Sequence, residues 1–191
     1  MSRSPDQNRR RELLKTLERI MLQEGFSDWR IGTLASRLKC SRSTIYALAP
    51  RKEELVFQLV NNVRLEARLA AGVESAKQES PADAITAYLD VMREVTDRGS
   101  QRFWDDVAAD PAVSRLFGDE EDWGVLVLKN YVENGIASGL FRPVNADFVA
   151  RLIWHSGPYT RDPAVLREAG LSAGEALGEL KQLFLHGIVA T

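Results

Sequence analysis

Apolar residues recur at helical intervals along nearly the whole chain. Near the N-terminus, Leu13, Leu17, Ile20 and Met21 fall on one helical face, and Gly25 stands where a helix stop is expected. The strict apolar/polar alternation of a half-buried strand is not found. The pattern therefore predicts an all-α protein.

The first part of the chain reads as three short helices. They are predicted over residues 10–24, 30–38 and 41–48, with Ser41 as the N-cap of the third and Asp28 as a candidate cap of the second. A very short turn separates the last two helices. This spacing indicates a helix-turn-helix unit, in which the second helix of the pair lies in the DNA major groove.

A long helix predicted over residues 51–78 leads into a helical body. Cap and proline signals predict further helix starts near Ser80, Ser100, Asp110, Asp162 and Ser172. The pattern predicts a three-helix head over residues 1–52, a helical body over residues 53–191, and about nine helices.

Charge divides the chain at the same place. Residues 1–52 hold 12 Lys or Arg against 5 Asp or Glu, a net charge of +7, whereas the remainder holds 13 against 22, a net charge of −9. This asymmetry indicates that the positively charged head binds nucleic acid. The negatively charged body would be repelled by nucleic acid.

Composition argues against disulfide-bonded, membrane-spanning, secreted and enzymatic proteins. The single cysteine, Cys40, leaves no partner for an intramolecular disulfide and suits the reducing cytoplasm. No apolar run is long enough to cross a membrane, and no secretory signal pattern is visible. With only His155 and His186, and no nucleophile elbow, zinc-protease motif or phosphate loop, the chain is not expected to be an enzyme. No metal site and no cofactor are predicted.

The predicted third helix has a polar outer face suited to reading base edges. Ile45 and Leu48 can point inward with Cys40, so Arg42 and Ala47 lie outside. An arginine can form two hydrogen bonds to guanine, and an alanine methyl can contact thymine.

The segment from Ile31 to Leu55 resembles the DNA-binding region of the TetR/AcrR family of transcriptional regulators. The matching positions are Leu34-Ala35, Ser41, Thr44, Ile45-Tyr46, Pro50 and Lys52 to Leu55. The resemblance implies phosphate contacts for Tyr46 and Lys52, and base or groove contacts early in the reading helix. The expected DNA-contacting residues are Ser41, Arg42, Ser43, Thr44, Tyr46, Ala47 and Lys52.

The same resemblance implies a homodimer on a palindromic double-stranded operator, released by a small-molecule effector, and most often a repressor. Departures from the family pattern are Lys39 in place of a turn glycine, Ala47-Leu48-Ala49 in place of an aromatic segment, and Arg51 in place of a capping serine. An alternative interpretation is therefore a module of the same fold that binds a protein partner. Arg9-Arg10-Arg11 are either a tether or an arm that contacts DNA.

Aromatic and apolar residues of the body suggest two further sites, although core packing is the commoner role for any single aromatic residue at helical spacing. The candidate effector pocket comprises Tyr88, Met92, Phe103, Trp104, Phe117, Trp123 and Tyr131. The candidate dimer interface comprises Leu152, Trp154, Leu177, Leu180, Phe184 and Ile188.

Overall fold

The computed structural model describes residues 5–116 and 122–189, and these form an all-helical protein. In chain order the helices are α1 (Pro5–Glu24), α2 (Ile31–Arg37), α3 (Arg42–Tyr46), α4 (Lys52–Ser75), α5 (Pro81–Asp97), α6 (Gln101–Ala109), α7 (Pro111–Arg115), α8 (Asp122–Ala137), α9 (Ala146–Tyr159), α10 (Pro163–Ala169) and α11 (Ala173–Ile188). The only extended pairing in these ranges is an isolated bridge between Phe141 and Val189.

The predicted all-α fold is confirmed, but eleven helices are described where about nine were predicted. Two of the eleven, α7 and α10, are only five and seven residues long. Helix α1 begins at Pro5 instead of residue 10, because its first turns are polar and carry no apolar pattern. Helix α4 spans 24 residues, about 36 Å at 1.5 Å per residue.

Most predicted helix starts carry the expected cap. Side chains of Ser41, Ser100, Asp110 and Asp162 accept hydrogen bonds from first-turn amides. Ser172 and Glu175 form a reciprocal capping box at α11.

The prediction of Asp28 as the cap of α2 is wrong. Arg30 occupies that N-cap position and its side chain makes no capping hydrogen bond. Asp28 instead pairs with Arg102 of α6, 2.6 Å away. Ser80 occupies the N-cap position of α5, but its hydroxyl makes no capping bond either.

Two buried clusters fill the interior. The first joins α1, α2 and α3 to the start of α4 and to Phe103 and Trp104 of α6. The second is formed mainly by α5, α8 and α9, closed by Phe141 and Ile188. The core of the head therefore continues into α6, and the predicted division at residue 52 remains a prediction.

Lys39, in the turn between α2 and α3, has a left-handed backbone with φ of +50°. This conformation costs a residue with a Cβ about 1–2 kcal/mol, whereas glycine adopts it freely. We therefore expect Lys39→Gly to raise the free energy of unfolding by about 0.5–1 kcal/mol, a gain of roughly 1–4 °C in melting temperature. Thermal unfolding followed by circular dichroism measures this.

Ser36→Gly is the matched control, because Ser36 is an exposed helical residue three positions earlier. A helical glycine should lower stability by about 0.5 kcal/mol. A lower melting temperature for Lys39→Gly would contradict the strain assigned to this turn.

Candidate nucleic-acid interface and ligand cavity

Helix α3 presents one buried and one exposed face, as predicted. Ile45 is 1% exposed and Leu48, just beyond the helix, is 7% exposed. Arg42, Ser43 and Ala47 are exposed, and Tyr46 retains 50% of its accessible surface. The ring and hydroxyl of Tyr46 are therefore accessible from outside the chain, and its phosphate contact remains a prediction.

Hydroxyl groups bond to one another at the start of α3. The Ser41 hydroxyl lies 2.7 Å from that of Ser43 and 2.8 Å from that of Thr44, and it accepts a bond from the Thr44 amide at 3.1 Å. Ser41 is thus occupied as the cap of the helix. Ser43 shares this network, and the guanidinium of Arg42 lies beside Gly32 of α2, although both residues are exposed.

Arg10 of α1 holds the other end of α3. Its guanidinium donates to the carbonyl oxygens of Ala47 at 2.7 Å and Leu48 at 3.2 Å. These carbonyls have no intrahelical partner at a helix C-terminus, where a cation is also favoured. Within Arg9-Arg10-Arg11, the middle residue is therefore a structural clamp, and all three belong to α1.

Lys52, one of the two predicted phosphate contacts, lies at the start of α4 and is partly exposed. Its Nζ donates to the carbonyl oxygen of Ser27 at 3.1 Å, which leaves two ammonium protons for another acceptor. Arg51 pairs with Glu54 at 2.6 Å. The seven predicted DNA contacts all lie on α3, its two flanks or the first residue of α4, and their contact with DNA remains a prediction.

Further cations surround α3. Arg9, Arg11, Arg30 and Lys39 are exposed and make no ion pair within the described ranges. Arg37 differs, because two hydrogen bonds of 2.6 Å join it to Glu24, and these hold the pKa of Glu24 below its ordinary value. The head therefore offers positive charge next to an exposed polar helix.

A buried carboxylate of the body holds the loop between α1 and α2. Asp106 of α6 is 7% exposed, and its Oδ2 accepts hydrogen bonds from the amides of Phe26 at 2.6 Å and Ser27 at 2.9 Å. Gly25, with φ of +75°, lies so close to this carboxylate that a Cβ would clash with it. Sequence analysis did not find this role for Asp106, because nothing local marks an aspartate that bonds to amides 79 and 80 residues away.

Other contacts strengthen the junction between head and body. The Ser100 amide donates to the Leu22 carbonyl at 2.8 Å, and Arg98 pairs with Glu18 at 3.0 Å. Partial burial raises the pKa of Glu18, with a smaller contribution from Glu66, and Arg98 opposes this increase. The start of α6 and the turn before it are therefore fixed to α1.

A cavity of about 80 Å³ lies in the body, beside this junction. Its wall comes from α4, α5, α6, α8, α9 and α11, and Leu22 of α1 reaches it from the head. Most lining side chains are apolar, which is typical of small-molecule sites. The cavity thus adjoins the contact between head and body.

Four of the seven predicted pocket residues line this cavity: Tyr88, Met92, Phe103 and Trp104. Trp123 and Tyr131 do not line it. Trp123 packs behind the wall, with the Arg68 guanidinium 5.0 Å from its ring centre, and the Tyr131 hydroxyl donates to Ser75 at 3.0 Å. Phe117 lies outside the described residues.

Polar residues in the wall include three arginines and Tyr88. Arg64 and Arg68 come from α4, and Arg161 follows α9 with its guanidinium 5.6 Å from the Trp104 ring centre. Burial lowers the pKa of Arg161 to about 10, so the group stays charged at neutral pH. The Tyr88 hydroxyl is buried and has no hydrogen-bond partner in the described ranges, and burial raises its pKa above the ordinary value despite the nearby charge of Arg68.

The predicted dimer residues divide between interior and surface. Leu177 and Ile188 are 6% and 5% exposed, so they belong to the core of this chain, and their contact with a partner remains a prediction. Trp154 lines the cavity, and Leu180 and Phe184 are half-buried. Leu152 is exposed, and sequence analysis missed its exposed apolar neighbours Phe148, Tyr159 and Leu183.

The described residues contain neither a metal-binding cluster nor a membrane-spanning helix. There, no cluster of three or more histidine, cysteine, aspartate or glutamate residues has the arrangement of a metal site. No helix in these ranges combines the length and apolar character needed to cross a membrane.

The geometry so far defines a helix-turn-helix head joined to a helical body with an internal cavity, and solved structures share this architecture. No family model and no curated protein matches the chain. A protein from Saccharomonospora viridis solved in complex with choline is similar with a TM-score of 0.74 and 22% identity, over 97% of this chain and 100% of that one. A TetR/AcrR-family regulator from Thermobifida fusca gives a TM-score of 0.70 and 22% identity, over 94% and 98%.

A third similar structure is AibR in complex with isovaleryl coenzyme A and operator DNA. Its TM-score is 0.61 and its identity 15%, over 93% of this chain and 98% of that one. The chain therefore has the fold of TetR-family transcriptional regulators along nearly its whole length.

Proposed function

We propose that this protein is a ligand-responsive transcriptional regulator of the TetR/AcrR family, which binds a palindromic operator in the cytoplasm as a homodimer and acts as a repressor. The observation that carries the proposal is the exposed polar face of α3, where Arg42 and Tyr46 are exposed near cations of the head that make no ion pair in the described ranges. Phosphate contacts need such cations, and base contacts need such a helix. AibR, which shares the fold, was solved with operator DNA.

A dimer is required because one short helix makes too few contacts for specific binding, and paired heads must lie one DNA turn apart. Helices α9 and α11, which contact each other, carry the apolar residues suited to it. On α9, Phe148, Leu152 and Tyr159 fall on one helical face and are 63%, 45% and 66% exposed. Leu183 of α11 is 71% exposed, so this surface is a better candidate interface than the buried stripe predicted from sequence.

Release by an effector follows from the position of the cavity. Phe103 and Trp104 of α6 line it, while Asp106 of the same helix binds the loop after α1. A ligand that fits the cavity better in one head arrangement than in another shifts the protein towards that arrangement. The DNA-bound dimer is the arrangement that the effector would disfavour.

Salt dependence tests the proposal against the protein-partner alternative. Fluorescence anisotropy of labelled duplex DNA is measured with purified protein at low and at physiological salt. Phosphate contacts make the affinity fall steeply with salt, and we expect such a fall. A protein that binds no duplex at either salt concentration would favour a module that recognises another protein.

Tyr46→Phe should weaken binding to all duplexes by a similar factor, roughly 3–10-fold, because it removes one hydroxyl that donates to phosphate. The ring remains, so folding should not change. Tyr131→Phe is the matched control, since it also removes one hydroxyl, but that hydroxyl lies on α8 and bonds to Ser75 of the body, away from the head. If the loss for Tyr46→Phe depended strongly on sequence, Tyr46 would contact bases instead.

A further inference from the structure

We infer that the effector is a small apolar carboxylate, a short aliphatic chain that ends in a carboxylate group. This inference rests on the proposed function, in which the cavity is the effector site. It names the chemical class of ligand from the charges and the buried hydroxyl in the cavity wall.

The charged side chains that the structure places in the cavity wall are all arginines. Arg64, Arg68 and Arg161 line the cavity, and no lining residue in the described ranges is an aspartate or glutamate. Arg64 and Arg68 are four residues apart on α4 and therefore lie on the same face of the helix. Their positive charges attract an anionic ligand group and repel a cationic one.

Each arginine can hold a ligand in addition to its present contacts. A guanidinium has five N–H donors in a planar fork, and a carboxylate accepts two of them side by side. The ring of Trp123 under Arg68, and that of Trp104 near Arg161, favour fixed positions for these two cations. Ordered cations lose little freedom when an anion binds.

The Tyr88 hydroxyl supplies an independent observation. Tyr88 is 1% exposed, its hydroxyl has no partner in the described ranges, and it lines the cavity beside Arg68. A buried hydroxyl without a hydrogen bond is costly, and it stays protonated here, so it is a donor in need of an acceptor. A carboxylate oxygen between Tyr88 and Arg68 would provide that acceptor.

The rest of the wall fits an apolar chain. Met92, Val95, Phe103 and Leu177 provide hydrophobic surface, and the volume of about 80 Å³ suits a few carbon atoms. This apolar surface suits the hydrocarbon part of a small carboxylate.

The test compares three probes with equal numbers of non-hydrogen atoms: pentanoate, its neutral isostere pentanamide, and the cation choline. Isothermal titration calorimetry with the full-length protein should show pentanoate binding at least tenfold tighter than either of the others. Tyr88→Phe should weaken pentanoate binding roughly 3–10-fold, and Arg68→Gln roughly 10–100-fold, with little change for pentanamide. Arg167→Gln, at an exposed arginine that does not line the cavity, should leave all three affinities unchanged.

Equal affinity for pentanoate and pentanamide, a preference for choline, or no binding of any probe would overturn the carboxylate assignment. None of these results affects the proposed function, which is judged by binding to duplex DNA without a probe. Conversely, a protein that binds pentanoate as described but no duplex would remove the proposed function and leave the ligand class supported.

Discussion

Replacing Asp106 by alanine is expected to lower the free energy of unfolding by about 3 kcal/mol. The carboxylate accepts two amide hydrogen bonds, from Phe26 and Ser27, and bonds to a charged acceptor contribute about 1.5–3 kcal/mol each. The change also leaves the buried Phe26 amide without its acceptor. For a chain of this size, the melting temperature should fall by roughly 6–12 °C, measured by thermal unfolding.

Asp105→Ala is the matched control for this change. Asp105 neighbours Asp106 on α6, but its ion pair with Arg167 is long, 3.9 Å, and exposed. Such pairs contribute between zero and about 1 kcal/mol, so the melting temperature should change little. If the two variants were equally stable, Asp106 would not hold the head to the body.

Replacing Arg42 by alanine is expected to change which DNA sequence the protein prefers. Arg42 is exposed on the first turn of α3, where its fork can bond to a guanine. Loss of such a contact should reduce discrimination at one base pair of each half-site by about 1–3 kcal/mol. The measurement is binding of the variant to a set of duplexes that differ at single positions.

Arg37→Ala serves as the control, because Arg37 is also an exposed arginine of the head but is bound to Glu24. Its replacement should leave the order of preferred sequences unchanged. A uniform loss for Arg42→Ala, equal at every sequence, would make Arg42 a phosphate contact and contradict its role in reading bases.

The sequence predicted the elements of this fold well because their signals are local. Apolar spacing marks the helices, and caps such as Ser41 and Ser172 mark where they begin. Glycines at stops, among them Gly25 and Gly170, have the positive φ angles that such stops require. Each of these signals lies within a few residues of the feature that it predicts.

Contacts between distant segments could not be predicted in this way. Arg10 bonds to carbonyls 37 and 38 residues later, and Asp106 bonds to amides about 80 residues earlier. Arg9 and Arg11 carry the same charge as Arg10, and Asp105 carries the same charge as Asp106. The sequence therefore does not show which of these side chains bonds to a distant segment. Only the folded structure shows which of several similar side chains makes the long-range hydrogen bond.

The exposed apolar residues of the candidate dimer surface also could not be predicted from the sequence. The apolar stripe of α11 that includes Leu177 and Ile188 faces the core of its own chain, where those two residues are buried. Leu183 lies off that stripe and is exposed. An amphipathic pattern identifies the face that is buried, and only the structure shows which apolar residues remain outside.

Selection of bound duplexes from a random-sequence pool, over several rounds at two salt concentrations, tests the central claim most directly. A dimer that reads DNA through α3 should enrich a palindrome whose half-sites lie about one helical turn, roughly 34–36 Å, apart. Its affinity should fall steeply with added salt. A pool that stays random after selection, with only weak and salt-sensitive binding, would contradict the account of this protein as an operator-reading regulator.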